Sequence, residues 1–195
     1  EIFKKNKARF QYEQLKNQLN PHFLFNSLNV LDYLVHTDSE KASSFIKKLA
    51  GVYRYLLDKE RDMLVTLQEE LKFTMMYCDL MKERFDTGMS ISTQIDDKYL
   101  STYIVPCSIQ LLVENALKHN IVSSSSPLHV KIFIENKWLV VENNLQPKIT
   151  EDQSSKVGLK NIESQYMSMF NKGIEVQKTS DVFRVRIPLI FEKTV

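Results

Sequence analysis

Along the first 85 positions apolar residues return every three or four places. Phe45, Ile46, Leu49, Val52, Tyr53 and Leu56 mark one such face, the repeat of an amphipathic helix. One glycine, Gly51, and one proline, Pro21, interrupt this half. The spacing predicts three helices, over roughly 2–36, 39–58 and 66–84. Asp38 or Ser39 and Thr66 stand where caps are needed, and Glu69 completes a capping box after Thr66. No strand pattern intervenes, so this half reads as a helical hairpin or bundle.

After Gly88 the period changes. MSISTQI alternates, VKIFIE and WLVVEN are short β-rich runs, and EVQKTS with VFRVRIPLI reads as a hairpin. Helical patterns at about 106–121 and 158–171 interrupt them. Strands joined mainly by hairpins, with interleaved helices, predict an α/β sandwich with helices on one side of a sheet. The chain is therefore expected to be α+β, divided into 1–86 and 87–195. The polar stretch NLQPKITEDQSSK, from Asn144 to Lys156, reads as a functional lid or a disordered segment.

Composition narrows the class. Of 195 residues 43% are hydrophobic and 26% charged, an ordinary globular balance. A net charge of +2 gives no argument for a nucleic-acid partner. Two cysteines, Cys78 and Cys107, cannot make a disulfide framework, and a reducing compartment is expected. The chain opens on Glu1 and carries Lys4, Lys5, Lys7 and Arg9. Such a segment is either a solvated helix start or the cytoplasmic flank of a membrane-spanning part that precedes it.

Chemistry concentrates in three places. In NPHFLFNSLN, residues 20–29, Gln18, His22, Asn26 and Asn29 fall on one helical stripe. The amides are placed to orient an imidazole and leave one ring nitrogen outward. Pro21 either kinks a continuous helix before His22 or starts a fresh one capped by Asn20. Metal binding at His22 is disfavoured, because no second ligand stands at i+3 or i+4 and His36 is two heptads away. A hydrogen-bonded histidine in a bundle seam and a nucleophilic imidazole both remain open. In VPCSIQLLVENALKHNI, residues 105–121, Asn115, Lys118 and His119 share a polar face beside Glu114. Oxygen ligands and a cation on one face suit Mg²⁺ and phosphate, and equally suit a solvated helix face. In KVGLKNI, residues 156–162, Gly158 stands at the expected entrance of a helix, where amides favour an anion. Four glycines without GxxxxGK[ST] exclude a P-loop.

NQLNPHFLFNSLN, LVENALKHN and VGLKNI, in this order, resemble the LytS-type sensor histidine kinases. YRYLL, LQEELKFTMMYCDLMKERF and VPCSIQLLVENA match as well. The resemblance spans nearly the whole chain and is most specific through residue 121. It implies a helical dimerisation and phosphoacceptor region followed by a Bergerat-type (GHKL) ATP-binding sandwich, preceded by membrane-spanning sensory parts. His22 would then be autophosphorylated from ATP, with Asn26 and Glu114 assisting. Asn115 would hold Mg²⁺, and Lys118 and His119 would face the phosphates. Asn143 would lie at the adenine, Lys156, Gly158, Leu159 and Asn161 in the glycine box, and 144–157 would be the lid. The implied partners are a second copy and a response regulator receiver domain, and the implied place is the cytoplasmic side of the plasma membrane.

Two positions depart from that family's pattern. Asn143 stands where an Asp receives the adenine amino group, with Leu145 at the first glycine of that box, and Lys156 replaces the first glycine of GxGLxN. An uncharged acceptor makes a weaker hydrogen bond, and Lys removes backbone freedom. The alternative is therefore a dimeric signalling scaffold without turnover. A GHKL chaperone or topoisomerase fits poorly, since Leu111 occupies the position of their catalytic Glu.

Overall fold

The computed structural model describes residues 20–59, 62–148 and 155–192, with 155–157 as backbone only. Residues 2–19 of the first predicted helix, including Gln18 and the basic cluster, lie outside the described residues.

By its contacts the chain divides between residues 60 and 61. The first unit is a hairpin of α1 (Pro21–Thr37) and α2 (Ser39–Asp58). A helix starts afresh at Pro21. Asn20, in the left-handed region at φ 37°, caps it by accepting the Phe23 N–H at 3.1 Å, and Pro21 occupies the position where a missing donor costs nothing. Asp38 makes the whole turn. Its N–H closes α1 on the Leu34 carbonyl at 2.7 Å, and its carboxylate caps α2 through the Lys41 N–H at 2.9 Å. Phe23, Ser27 and Leu34 of α1 and Ala42, Phe45, Leu49 and Val52 of α2 are buried.

The second unit begins with β1 (Val65–Thr66) and α3 (Leu67–Phe85). The expected capping box forms: Thr66 Oγ1 accepts from Glu69 N at 3.2 Å, and Glu69 Oε2 accepts from Thr66 N at 3.0 Å. Next come β2 (Met89–Gln94), β3 (Tyr103–Ile104), α4 (Ser108–His119), β4 (Leu128–Glu135) and β5 (Trp138–Asn144). They are followed by α5 (Ser155–Phe170), β6 (Glu175–Lys178) and β7 (Val182–Pro188). Five strands form one sheet in the order β2-β4-β5-β7-β6, while β1 and β3 pair separately. Neighbours in the large sheet are antiparallel except β2 and β4. That parallel pair is joined through α4, a crossover the hairpin reading of the strand runs did not anticipate. Asn136 and Lys137, at φ 50° and 67°, make the tight β4–β5 turn, whose twist matches the strands. Gly88 is required by a close approach, because a Cβ there would meet the Ser123 backbone at 3.0 Å.

The fold is the expected α+β sandwich. Its packing boundary lies earlier than the change of pattern near residue 86, because α3 is part of the second unit. Leu67, Phe73, Tyr77, Leu80 and Met81 of α3 are buried there, as are Ile109, Leu112 and Val113 of α4 and Ile132, Leu139, Val141, Val185 and Ile187 of the sheet.

One buried charge organises these helices. Glu70, wholly buried, accepts the Cys107 N–H at 2.9 Å and the Ile109 N–H at 3.0 Å. It caps α4, whose own cap residue Cys107 offers no side-chain bond. Glu70→Ala should lower the unfolding free energy by about 2–4 kcal/mol, with Glu70→Gln in between. Urea unfolding of the chain measures this, and an unmoved midpoint in the Ala variant would show that the two amides need no carboxylate.

Candidate functional site

In the first unit His22 is exposed on the opening turn of α1. The amide nitrogen of Asn26, one turn on, stands 3.2 Å from both ring nitrogens. Asn29 is exposed on the same helix. His36 is also exposed, with its Nε2 3.9 Å from Asp32. His129 lies on β4 of the second unit, its Nδ1 2.6 Å from Ser90 Oγ.

In the second unit the candidate residues gather around α4. Asn115 is half-buried near its middle, and its Nδ2 is fully enclosed without a hydrogen-bond partner among the described residues. Gly158 of α5 lies directly against that amide. A Cβ built on Gly158 would stand 3.6 Å from Asn115 Nδ2 and 3.8 Å from Oδ1. The sequence places Gly158 at the helix entrance, but α5 starts at Ser155. Gly158 therefore belongs to the first helical turn, where its bareness leaves room beside Asn115 and is not needed for a special backbone angle.

Glu114 lies one residue away and accepts from Gln110 Nε2 at 2.8 Å. Buried Tyr77 of α3 is close by: burial pushes its phenol well above the usual range, and the Glu114 charge adds to this. Lys118 and His119 close the last turn of α4, both half-buried. Leu159 is half-buried and Asn161 exposed on α5, while the side chain of Lys156 lies outside the described residues. Residues 149–154 of the expected lid lie outside them too.

Asn143 sits near the end of β5, opposite Val130 and Phe183. It alternates with the buried Val141 and Leu139, so it shares the helix-covered face of the sheet. It is 4% exposed, and its Nδ2 donates to the Asn144 carbonyl at 2.7 Å.

Sequence reasoning missed the residues that hold α4 in place. Lys148 donates its N–H to the His119 carbonyl at 3.0 Å and its Nζ to the carbonyls of Leu117 at 3.2 Å and Lys118 at 2.9 Å. Burial, with the nearby Arg84 charge, holds its ammonium below the usual range. Gln146 donates its N–H to Asn120 Oδ1 at 2.8 Å and its Nε2 to Ile121 O at 2.6 Å and Ser126 O at 2.7 Å. The first part of the expected lid is thus a fixed strap across the end of α4. A cleft of about 990 Å³ opens between Met63, Leu64, Met167, Phe170 and Phe191, and none of the candidate residues lines it.

Of the residues around α4, Asn115 offers one side-chain oxygen that could join a Mg²⁺ held mainly through a polyphosphate, while the enclosed atom without a partner is its Nδ2, a hydrogen-bond donor. No cluster of three or more His, Cys, Asp or Glu occurs among the described residues. Mg²⁺ commonly takes one or two protein oxygens with substrate phosphates supplying others.

The histidine kinase family model matches residues 10–89. The chain is 33% identical over 158 residues to the sensor protein LytS of Staphylococcus epidermidis, covering 79% of this chain and 27% of that protein. It is 31% identical over 160 residues to the sensor histidine kinase/phosphatase LytS of Staphylococcus aureus, covering 80% and 27%. The chain thus spans about a quarter of the length of the curated relatives it matches. The nucleotide-free catalytic domain of the histidine kinase ThkA superposes with a TM-score of 0.46 at 16% identity, over 64% of this chain and 93% of that one.

The contact at Gly158 is testable without a ligand. Gly158→Ala should leave stability unchanged or raise it by up to about 1 kcal/mol, because the added methyl makes ordinary contact. Gly158→Leu must displace the Asn115 amide and should destabilise. Denaturation, with the Asn115 side-chain amide followed by NMR, reads both. An undisturbed Asn115 resonance in the Leu variant would refute the contact.

Proposed function

The chain belongs to the histidine kinase family, with LytS-type sensor proteins among its relatives, and from this we propose that it autophosphorylates His22 from ATP and passes the phosphoryl group to a response regulator. The observation that carries this reading is the side-chain amide of Asn115, whose Nδ2 is enclosed without a hydrogen-bond partner among the described residues and which faces the bare Cα of Gly158. Gly158 leaves room beside it, and its Oδ1 is the atom that would take a cation, on a helix that also carries Lys118 and His119.

A ring nitrogen of His22 attacks the γ-phosphorus. The N–P bond forms, the bond from phosphorus to the bridging oxygen breaks, ADP leaves, and the ring proton is lost to solvent. Asn26 serves this attack when its amide turns so that Oδ1 accepts the ring N–H, which holds the other nitrogen's lone pair outward. Asn115 would hold Mg²⁺, which supplies charge neutralisation at the phosphates when bound. Lys118 and His119 orient the same phosphates electrostatically, and such positioning does most of the work in phosphoryl transfer. Glu114, bonded to Gln110, keeps a negative charge at the edge of the site.

The helical unit supports a second copy as partner. Phe25, Tyr33 and Val35 of α1 and Ile46 and Leu57 of α2 are 48–68% exposed, more apolar surface than a two-helix hairpin leaves to water. A four-helix bundle of two chains, packed in parallel through residues 1–60, would cover it. No helix of the described residues is long and apolar enough to cross a membrane. Attachment to the plasma membrane is assigned to sequence beyond this chain, with the chain itself on the cytoplasmic side and no nucleic acid involved.

The second reading, a scaffold without turnover, rests on Asn143 and Lys156. Incubation with labelled ATP and Mg²⁺ separates the two. Acid-labile label should appear on the chain and vanish in His22→Gln while ATP binding persists. Label that survives in that variant refutes His22 as the acceptor, and binding without any label supports the scaffold. Sedimentation should give a dimer at tens of micromolar, and a folded monomer at that concentration would overturn the bundle.

A further inference from the structure

We infer that β2 is a docking edge, which takes an extended, acidic segment of a protein partner as a further strand of the sheet. The five-stranded sheet ends in β2 on one side and β6 on the other. An open edge presents a row of backbone donors and acceptors to any extended chain, and folded proteins blunt such edges with short strands, charges or proline. β6 is blunted. It is four residues long, has Glu175 and Lys178 at its ends, and ties Glu175 to Arg186 at 2.7 Å. β2 lacks these devices. It runs for six residues, Met89–Gln94, and its sequence MSISTQ holds no charge and no proline. Its backbone pairs with β4 along that whole length, and no backbone bond leaves its other side among the described residues. Ser90, Ser92, Thr93 and Gln94 are exposed.

The residues beside this edge set the chemistry of the occupant. Ser92 lies opposite Lys131 of β4, which lies opposite Glu142 of β5, so the three share the sheet face turned away from the helices. A hollow of about 210 Å³ opens there, lined by Ser92, Gln94, Lys131, Phe133 and Glu142 among others. Glu142 is taken by Arg184, whereas Lys131 makes no ion pair among the described residues. A strand added beyond β2 would run two strand spacings, about 9.6 Å, from β4. A lysine and an acidic side chain together span that gap, and the small Ser92 leaves the way between them clear. On the other face the added strand would continue the row of Met89 and Ile91, where apolar side chains fit. The occupant is therefore an extended segment that alternates apolar and polar residues and carries an acid level with Ser92, bound by main-chain bonds and selected by its side chains. A second copy of β2 does not meet this description, because MSISTQ contains no acid.

Three capped hexapeptides test this on the 195-residue chain. One alternates valine with polar residues around a central glutamate, one has lysine in place of that glutamate, and one is the glutamate peptide with alternate backbone nitrogens methylated. Fluorescence anisotropy reads affinity, and hydrogen exchange by NMR reads the β2 amides. The glutamate peptide should bind and slow the exchange of alternate β2 amides. The lysine peptide should bind about fivefold more weakly at low salt, and the methylated one should not bind. Lys131→Glu, at an exposed position, should reverse the preference between the two charged peptides. Equal affinity for both, binding that leaves the β2 amides unprotected, or no binding up to about 1 mM each overturns the proposal. β2 amides that are protected without peptide and released on dilution would assign the edge to a second copy, and would overturn it as well.

Discussion

Glu70 accepts the N–H groups of Cys107 and Ile109 on its two carboxylate oxygens, and the second unit depends on those two bonds. The amides begin α4, whose cap residue is left-handed at φ 63° and has no side-chain bond of its own. A buried carboxylate without donors would be costly, and unpaired amides at a helix start would add to the cost. Each makes the other tolerable only when α3 and α4 lie in one register. Tyr166 of α5 extends the knot: its hydroxyl accepts the Val105 N–H at 3.2 Å, and burial pushes its phenol above the usual range. Three helices are thus fixed against one another at a single polar point in an apolar layer.

The opposite end of α4 is held differently. Lys148 meets its last carbonyls, where a cation complements the helix dipole. Asn120 turns its Nδ2 back to the Ala116 carbonyl at 2.8 Å. Between these anchors lies Asn115, with its Nδ2 enclosed and unpartnered among the described residues. A side chain on a helix clamped at both ends has its position fixed by bonds other than its own. The enclosed amide is tolerated because its surroundings are fixed by other bonds.

The helices, the Asp38 and Thr66 caps and the strand runs were legible in the sequence because each rests on local spacing. The packing boundary was not, since it depends on which neighbour covers α3. Glu70 carried a readable signal that is easily misassigned. In LQEEL one glutamate completes the capping box, and the other falls on the stripe of Phe73, Thr74 and Tyr77, where a charge needs a partner. Nothing in the sequence names the distant amides of Cys107 and Ile109 as that partner. Asn115 and Gly158 were legible as motif positions, but their contact follows from α5 beginning at Ser155. Lys148 and Gln146 lie in a polar run that reads as loop, and only tertiary bonding turns them into a strap.

The two units meet their apolar surface in different ways. On the sheet face away from the helices of its own unit, Val140 is wholly buried. Arg184 pairs with Glu142 and stands 5.8 Å from the Phe133 ring. Arg186 reaches Glu175 at 2.7 Å and stands 5.3 Å from the Trp138 ring. Guanidinium groups lying over aromatic rings close that face with side chains of the same sheet. The candidate residues lie on the helix side, where Asn143 and α4 are. Among the described residues, the hairpin of α1 and α2 shows no such device. With one buried stripe per helix, it leaves Phe25, Tyr33 and Leu57 exposed among the described residues.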